Sequence, residues 1–245
     1  MHTFITEVRQ TLIPSRSGKD GPLPPLLVAM TLVTGLVDAF SYLVLGHVFV
    51  ANMTGNVVFL GFALAGAPGF SIGASVVALA SFCLGALVGG QAGKRYGAHR
   101  GRLLSMVTAV EAVLLGASVI LGFVSGSPVT AGFRYPLIFV LATAMGVQNA
   151  AARRVAVPDL TTTVLTMTIT GIVADSTIVG GKGSKSGRRL VAIAAMLVGA
   201  LVGAACVLHV HIVIALVIAL VVLVVVGTIT FMLGKSDAEW AKAQG

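Results

Sequence analysis

Residues 35–61, GLVDAFSYLVLGHVFVANMTGNVVFLG, decide the fold of this chain. The stretch is almost wholly apolar, yet it contains Asp38 and then the polar run NMTGN at residues 52–56. In hydrocarbon, each polar group that lacks a hydrogen-bond partner costs several kcal/mol. Polar groups inside so long an apolar run therefore predict either a buried network of partners or a polar cavity within a membrane.

The composition of the whole chain is that of a membrane protein. Of its 245 residues, 57% are hydrophobic and 10% are charged, whereas soluble globular proteins carry about 25% charged residues. Apolar runs long enough to span ~30 Å as a helix lie at residues 23–46, 71–92, 102–125, 135–152, 189–208 and 212–234. Two further apolar segments, 52–66 and 160–180, are shorter or richer in polar residues. We predict an all-α, polytopic bundle of membrane helices.

The segments between the apolar runs are short, so the sequence predicts one membrane domain with two small appendages. Residues 1–25 form a cytoplasmic amphipathic segment and a Pro/Gly-rich linker, and residues 26–234 form the membrane domain. Residues 235–245 form a polar cytoplasmic tail, in which Trp240 is expected to anchor the chain at the membrane interface.

The distribution of basic residues predicts the topology. The net charge is +8, but the basic clusters lack the interleaved aromatic residues of a nucleic-acid-binding surface. If all eight apolar segments crossed the membrane, the Lys and Arg residues would divide ten to six between its sides. If 52–66 and 160–180 enter and leave on one side, fifteen of the sixteen share a side and only Arg134 does not. Because Lys and Arg in short loops mark the cytoplasmic side, we predict six full crossings and two short re-entrant or broken helices. Both termini are then cytoplasmic.

The two halves of the membrane domain, about 26–125 and 136–234, resemble each other. GLVD at 35–38 matches GVQN at 146–149, VFVANMT at 48–54 matches VAVPDLT at 155–161, and GALVG at 85–89 recurs at 199–203. The offsets are 111, 107 and 114 positions. Three crossings per half would give the halves opposite orientations, which is the inverted-topology repeat of many secondary transporters.

The stretch from TGLVDAF to NMTGN, with the GALVGG span and the basic loop KRYGAHR at 94–100, resembles the YoaK family of bacterial membrane proteins. The resemblance covers roughly residues 26–234. It implies an integral inner-membrane protein with about six helices, sometimes described as a small-molecule transporter. It implies no particular substrate and no catalytic residues.

Asp38 is the first candidate for a functional residue, since it lies about fifteen residues into the first span. Insertion scales assign a carboxylate at that depth a cost of about +2.5 to +3.5 kcal/mol. Asp38 can be a proton- or cation-binding group that faces a cavity, or a packing acid hydrogen-bonded to a neighbouring helix. Its counterpart Asn149 is neutral, so any charge chemistry is confined to the first half.

Amides, hydroxyls and one further acid near the two short segments complete the candidate site for a substrate or ion. They are Asn52, Thr54 and Asn56 in the first half, and Gln148, Asn149, Asp159, Thr161 and Thr163 in the second. Helix capping is the alternative role, because Asn, Asp and Thr favour helix N-termini. A separate set is predicted to pack helices, since small residues allow helix backbones to approach closely. These residues are Gly85, Gly89, Gly199 and Gly203.

The sequence indicates a secondary transporter or channel for a small polar solute, with a non-transporting scaffold or regulatory protein as the alternative. We expect the site where the segments that start at Asn52 and Asp159 approach each other and Asp38. No nucleophile–base spacing, phosphate loop or metal-ligand set stands out, so we expect no enzyme, no cofactor and no metal. The expected partners are the lipid bilayer and a small solute or ion, without nucleic acid, and homo-oligomerisation is left open.

Overall fold

A computed structural model describes residues 2–14, 19–160, 162–163, 165–176, 180, 186–236 and 238–242. These residues form nine α-helices and a short 3-10 helix, Glu239–Ala241, and they contain no β-strand. In chain order the α-helices are α1 (His2–Leu12), α2 (Leu23–Val44), α3 (Met53–Leu64), α4 (Ile72–Tyr96), α5 (Arg100–Ser125), α6 (Ala131–Val155), α7 (Leu165–Ala174), α8 (Ser186–His209) and α9 (Ile214–Leu233).

Six of these helices, α2, α4, α5, α6, α8 and α9, are long and apolar enough to cross a membrane. The other two apolar helices, α3 and α7, have 12 and 10 residues, so each extends less than about 20 Å at the α-helical rise. The predicted all-helical membrane bundle, with six spans and two short helices, is confirmed.

Local sequence signals set the ends of several spans. Pro24 and Pro25 lie in the first turn of α2, where the missing proline N–H leaves no hydrogen bond broken. At the start of α4, the side chain of Ser71 accepts a hydrogen bond from the N–H of Ala74. Helix α6 continues to Val155, beyond the predicted end at 152, because backbone hydrogen bonding persists where the hydropathy of the sequence falls.

One end of the bundle, which we call the basic end, is tied together by arginines. The guanidinium of Arg100, at the start of α5, donates to the carbonyl oxygens of Val155 and Trp240 at 3.0 and 3.2 Å. It also pairs with the carboxylate of Asp20, which Arg188 at the start of α8 binds from the other side. The segment before α2, the end of α6, the start of α8 and the C-terminal tail therefore lie together.

The opposite end holds the remaining connections. His47, after α2, hydrogen-bonds the carbonyl oxygen of Gly69, before α4, at 2.9 Å. The ring of Phe123, near the end of α5, stacks on His211 in the turn between α8 and α9. Helices α2, α5 and α8 therefore run from the basic end to the opposite end, and α4, α6 and α9 return.

Charge is sorted between these ends as the sequence predicts. Among the Lys and Arg residues that the structure describes, only Arg134 lies at the opposite end. It sits in the first turn of α6, where its Nε donates to the carbonyl oxygen of Leu45 at 2.6 Å. Helix α1 lies at the basic end, since the Glu7 carboxylate accepts the N–H of Gly187 at the start of α8.

The C-terminal tail differs from its prediction. Trp240 is not an interfacial anchor, because only 5% of its surface is exposed and its ring packs against Gly21. His99 hydrogen-bonds the carbonyl oxygen of Ser236 at 2.9 Å, which folds the tail back onto the bundle. The indole therefore fills a gap between helix ends and does not reach the lipid surface.

Glycines make the closest helix crossings, and each crossing occurs twice. Gly35 of α2 lies against the backbone of Met196 in α8, and Gly146 of α6 lies against the backbone of Phe82 in α4. Gly35 and Gly146 are 111 positions apart, and Phe82 and Met196 are 114 positions apart. Helix α2 of the first half therefore packs on α8 of the second half in the same way that α6 of the second half packs on α4 of the first half.

The glycines predicted to pack helices lie at the same two crossings. They are Gly85 and Gly89 in α4, and Gly199 and Gly203 in α8, and all four are buried. Their neighbours are, in the same order, the backbones of Thr143, Val147, Leu32 and Leu36. These partners are related by the same offset of 111, so the crossing α2–α8 reproduces the crossing α4–α6 contact by contact.

The short helix α3 enters and leaves the bundle at the opposite end. Residues 45–52 fold back inward from the end of α2 until the N–H groups of Val50 and Ala51 reach the carboxylate of Asp38. Helix α3 then runs outward again, and the chain returns to His47 at Gly69. Its geometry is that of a re-entrant segment.

The short helix α7 is held in the corresponding way at the basic end. Arg189 of α8 donates from Nε to Asp159, before the segment, at 2.9 Å and from Nη1 to Asp175, after it, at 2.7 Å. The two ends of the segment are therefore fastened to one guanidinium.

Candidate functional site

Asp38 binds the re-entrant loop before α3. Its carboxyl Oδ1 accepts hydrogen bonds from the N–H groups of Val50 and Ala51, both at 2.9 Å, and Oδ2 accepts from Nδ2 of Asn52 at 2.5 Å. Only 3% of the residue is exposed. Backbone N–H groups within the hydrocarbon region of a membrane need acceptors from the protein, because that region contains no water to accept their hydrogen bonds. In this conformation the geometry favours the role of a hydrogen-bonded packing acid.

The other first-half candidates divide between the loop and the surface. Asn56 is fully buried, and its amide forms two hydrogen bonds with the backbone of Phe49. Its Oδ1 accepts from the N–H of Phe49 at 2.9 Å, and its Nδ2 donates to the carbonyl oxygen of Phe49 at 2.6 Å. The side chain of Asn52 does not cap α3, since its amide is directed to Asp38. Thr54 is exposed and faces away from this network.

The second half contains an equivalent connection between α6 and its short segment. The hydroxyl of Thr163 donates to Oδ1 of Asn149 at 2.5 Å. Thr163 follows Asn149 by 14 positions, as Asn52 follows Asp38. The contacts therefore align Asn52 with Thr163 at an offset of 111.

The predicted match of Asn52 with Asp159, at an offset of 107, is wrong. Asp159 has a positive φ of 65° and turns its carboxylate to Arg189, where it fastens the segment and does not face Asn149. The sequence comparison erred because it aligned similar residue types across the turn after α6. The hydrogen bonds instead identify the residues that occupy equivalent positions in the two halves. Thr161 lies outside the described residues.

Two buried polar side chains in the spans lack a full set of partners. Gln148 is fully buried and donates from Nε2 to the hydroxyl of Thr34 in α2 at 2.8 Å, which joins α6 to α2. Its Oε1 accepts no hydrogen bond from the described residues. Glu111, in α5, is also fully buried, and neither carboxyl oxygen has a partner among them.

Two grooves of related construction flank these connections. The Asp38 groove, of about 340 Å³, runs along the crossing of α2 and α8 beside Asp38, Tyr42, Leu43, Asn52 and Ala200. The Asn149 groove, of about 930 Å³, runs along the crossing of α4 and α6 beside Asn149, Arg153, Arg154, Thr163 and Ala86. Taken in order, the five residues named for the Asn149 groove correspond to the five named for the Asp38 groove. The paired positions are 111 or 114 residues apart.

The structure thus divides the expected single site into two. The grooves share no lining residue; α3 packs against α4, and α7 packs against α8. The Asp38 groove combines one acid with an aromatic and apolar wall, and the Asn149 groove carries basic side chains. The two grooves therefore correspond in the positions that line them and differ in the chemistry of their side chains.

Sequence reasoning missed the basic residues as part of a groove. Lys94, Arg153 and Arg154 line the Asn149 groove, but the sequence assigns them only to cytoplasmic loops. A comparison of equivalent positions in the two halves could have identified them, because Arg153 and Arg154 correspond to the uncharged residues Tyr42 and Leu43 of the first half. A charge at only one of two equivalent positions is not required by the fold.

The apolar spans, the paired glycine crossings and the re-entrant segments define the class of this molecule as a multi-pass helical membrane protein. The chain belongs to the family described as "Protein of unknown function (DUF1275)", which matches residues 26–229. It is 34% identical, over 152 residues, to the UPF0700 transmembrane protein YoaK of Bacillus subtilis (strain 168). The alignment covers 61% of this chain and 65% of that relative. The resemblance to the YoaK family is thereby confirmed, and no solved structure matches the chain.

Proposed function

We propose that this protein is a secondary transporter or channel for a small polar solute. The observation that carries the proposal is the pair of re-entrant segments, each joined to a polar residue of a span, Asp38 or Asn149, at equivalent positions. Interrupted helices at corresponding positions of two halves mark the binding site in many transporters. Polar backbone at membrane depth is tolerated only when it is buried in protein or lines a cavity.

An inverted relation between the halves supports this proposal. The pairs α2 and α6, α4 and α8, and α5 and α9 are related by the offset, and the members of each pair run in opposite directions between the two ends. Halves of opposite orientation allow one conformation to open each face of the membrane in turn. We propose that the basic end faces the cytoplasm of a bacterial cell, because Lys and Arg concentrate on that side.

The hydrogen bonds from Asn52 to Asp38 and from Thr163 to Asn149 are the contacts that a polar solute would replace. Each is a single side-chain bond at a groove wall, at 2.5 Å in both halves. Releasing such a bond without a substitute leaves a polar group unpaired, at a cost of about 1–3 kcal/mol. A solute with donors and acceptors removes that cost. The proposal includes no catalytic step, no cofactor and no nucleic-acid partner.

A non-transporting scaffold remains the competing proposal, and one observation favours it. Three donors already occupy the Asp38 carboxylate, so this acid has a complete structural role without a solute.

Uptake into liposomes distinguishes the two proposals. Purified protein is screened against a panel of small metabolites and ions, for uptake and for thermal stabilisation, as wild type, Asn52→Ala and Thr163→Val. Thr54→Ala is the matched control, since Thr54 lies in the same motif but is exposed. We expect the first two variants to reduce uptake roughly tenfold, the effect of one lost hydrogen bond, while Thr54→Ala behaves as wild type. If no solute binds or moves, and Asn52→Ala and Thr163→Val leave cells unaffected, the transport proposal fails.

A further inference from the structure

We propose that the Asn149 groove binds a phosphate-bearing anion, and specifically the headgroup of an anionic lipid. The proposal is independent of transport, since a scaffold and a transporter can both hold such a lipid. It rests on three cationic side chains, Lys94, Arg153 and Arg154, that meet at one end of a cavity of about 930 Å³.

Among the residues that the structure describes, the cations of the groove have no anionic partner of their own. None of the three forms an ion pair within the part of the chain that the structure describes, and no acid lines the groove. The acids of the basic end that the structure describes bind elsewhere: Asp20 binds Arg100 and Arg188, Asp159 and Asp175 bind Arg189, Glu7 accepts the N–H of Gly187, and Glu239 binds Lys242. A ligand that enters the groove therefore meets uncompensated positive charge.

Neither the fold nor the helix ends require these charges. Basic residues in the last turn of a helix do offset its dipole, and Lys94 and both arginines occupy such turns. The repeat-related turns of α2 and α8, however, carry Tyr42, Leu43 and Leu208 at these positions. Helix α2 ends without a basic residue and α8 ends with only His209. Dipole compensation therefore does not require a cluster of three cations.

The positive-inside rule explains the sign of the charges but not their arrangement around a cavity. Arg95, one position from Lys94, lies outside the groove and over the ring of Tyr96. The three cations instead border a floor of small residues, where a side chain on Gly90 would meet nothing within 4 Å. The groove is thus an open space framed by cations.

The long axis of the groove identifies the kind of anion. From the cations at the basic end it passes Gly90 and reaches Ala86 and Phe82, about two to three helical turns deeper. A cationic rim above an apolar floor matches a phosphate headgroup attached to an acyl chain. Basic pockets between spans on the cytoplasmic side are typical sites for anionic lipid headgroups, and arginine pairs with phosphate through two parallel hydrogen bonds.

Lipid retention tests the proposal on the full-length protein in detergent. Three probes are added and detected by native mass spectrometry and by thermal shift. Dioleoyl phosphatidylglycerol carries phosphate and chains, dioleoylglycerol carries only chains, and glycerol 3-phosphate carries only phosphate. The test variants are Arg153→Gln with Arg154→Gln, which removes charge, and Gly90→Leu, which fills the groove.

Matched controls have the same changes elsewhere. Arg95→Gln with Lys235→Gln removes two charges from the basic end outside the groove. Gly116→Leu adds the same side chain at another glycine that has open space within 4 Å. Comparing test and control variants separates binding in the groove from general attraction and from loss of folding.

We expect wild-type protein to retain phosphatidylglycerol about tenfold or more above dioleoylglycerol, in line with the attraction of several basic residues for one anion. Both test variants should abolish this preference, and both controls should keep it. If glycerol 3-phosphate binds as well as the lipid and shows the same pattern, the groove holds a phosphate ester and the lipid chains contribute nothing. Equal loss in test and control variants, or no preference in wild type, overturns the proposal.

Discussion

Asp38 and its surroundings illustrate how a single buried carboxylate organises the polypeptide around it. Two backbone N–H groups and one amide converge on it, and without it the loop before α3 would bury unpaired donors. Its counterpart Asn149 meets a single hydroxyl, and a neutral amide is sufficient there. The acid is present where the chain must satisfy more donors.

The role of Asp38 predicts different effects for two substitutions. Asp38→Asn keeps an acceptor oxygen for the backbone, and the Asn52 amide can turn to accept from the new amide group. Asp38→Leu leaves three donors unpaired and should lower the free energy of unfolding by about 3 kcal/mol or more. Unfolding of the purified protein in mixed micelles measures both. Equal destabilisation by the two variants would show that the negative charge, and not hydrogen-bond acceptance, is what the site needs.

Glu111 presents the opposite situation at the same scale. It is fully buried and has no partner among the described residues, so it contributes desolvation cost without a compensating bond. We therefore expect Glu111→Met, which keeps the volume, to leave the free energy of unfolding unchanged or to raise it by about 1 kcal/mol. The same unfolding assay checks this. A loss of more than about 1 kcal/mol would contradict it and indicate a stabilising contact for the carboxyl.

At the scale of helices, close approach depends on where the glycines lie. Gly85 and Gly90 are in the same helix, but a side chain on Gly85 would collide with the backbone of Thr143, and one on Gly90 would meet open space. Composition does not distinguish them, because both lie in the run GALVGG. Only the crossing with α6 makes one of them indispensable.

This difference predicts opposite results for the same substitution. Gly85→Ala should destabilise the protein by about 1–3 kcal/mol, because it forces two backbones apart. Gly90→Ala should be neutral or stabilising by up to about 1 kcal/mol, since alanine favours the helix. Thermal unfolding in detergent compares the two variants directly. The crossing is misassigned if Gly85→Ala proves as stable as Gly90→Ala.

At the scale of the molecule, the two ends of the bundle differ in charge and in the segments they receive. Helix α1, the tail and the α7 segment meet at the basic end, and the α3 segment meets the opposite end. Each half thus supplies one re-entrant segment to a different end. An arrangement of eight full crossings would instead place helix α1 and the loop after α4 on opposite sides of the membrane.

Cysteine labelling in cells tests this arrangement. With Cys83 and Cys206 replaced by alanine, Pro68→Cys and Ala98→Cys introduce single thiols at exposed positions. We expect a membrane-impermeant maleimide, applied from outside, to label Pro68→Cys only, and Ala98→Cys to react only after the membrane is permeabilised. Eight crossings with a cytoplasmic N-terminus predict the reverse pattern, in which Ala98→Cys is labelled from outside and Pro68→Cys only after permeabilisation. Either that pattern or labelling of both thiols from the same side would contradict the arrangement.

The sequence by itself determined the membrane as solvent, the number of apolar spans and the concentration of basic residues at one end of the bundle. These properties depend only on residues that are close together in the sequence. An apolar run must satisfy its backbone polar groups by forming a helix, and the number of Lys and Arg residues in each loop is read directly from the sequence. The six predicted runs differ from the helices by about four residues at most, chiefly where α6 and α4 continue through basic residues whose backbone still bonds. The matching glycine crossings of the two halves were also visible in the sequence, but the correspondence of Asn52 with Thr163 was not.

Only the tertiary structure decided which residues meet. Asp38 finds the amide of Asn52 and two backbone donors, Trp240 fills a gap at the basic end, and Arg189 fastens both ends of the α7 segment. The crossings that shape both grooves join residues more than fifty positions apart, so no local pattern contains them. A glycine, an acid or an arginine acquires its role from the surface it faces, and that surface comes from another helix.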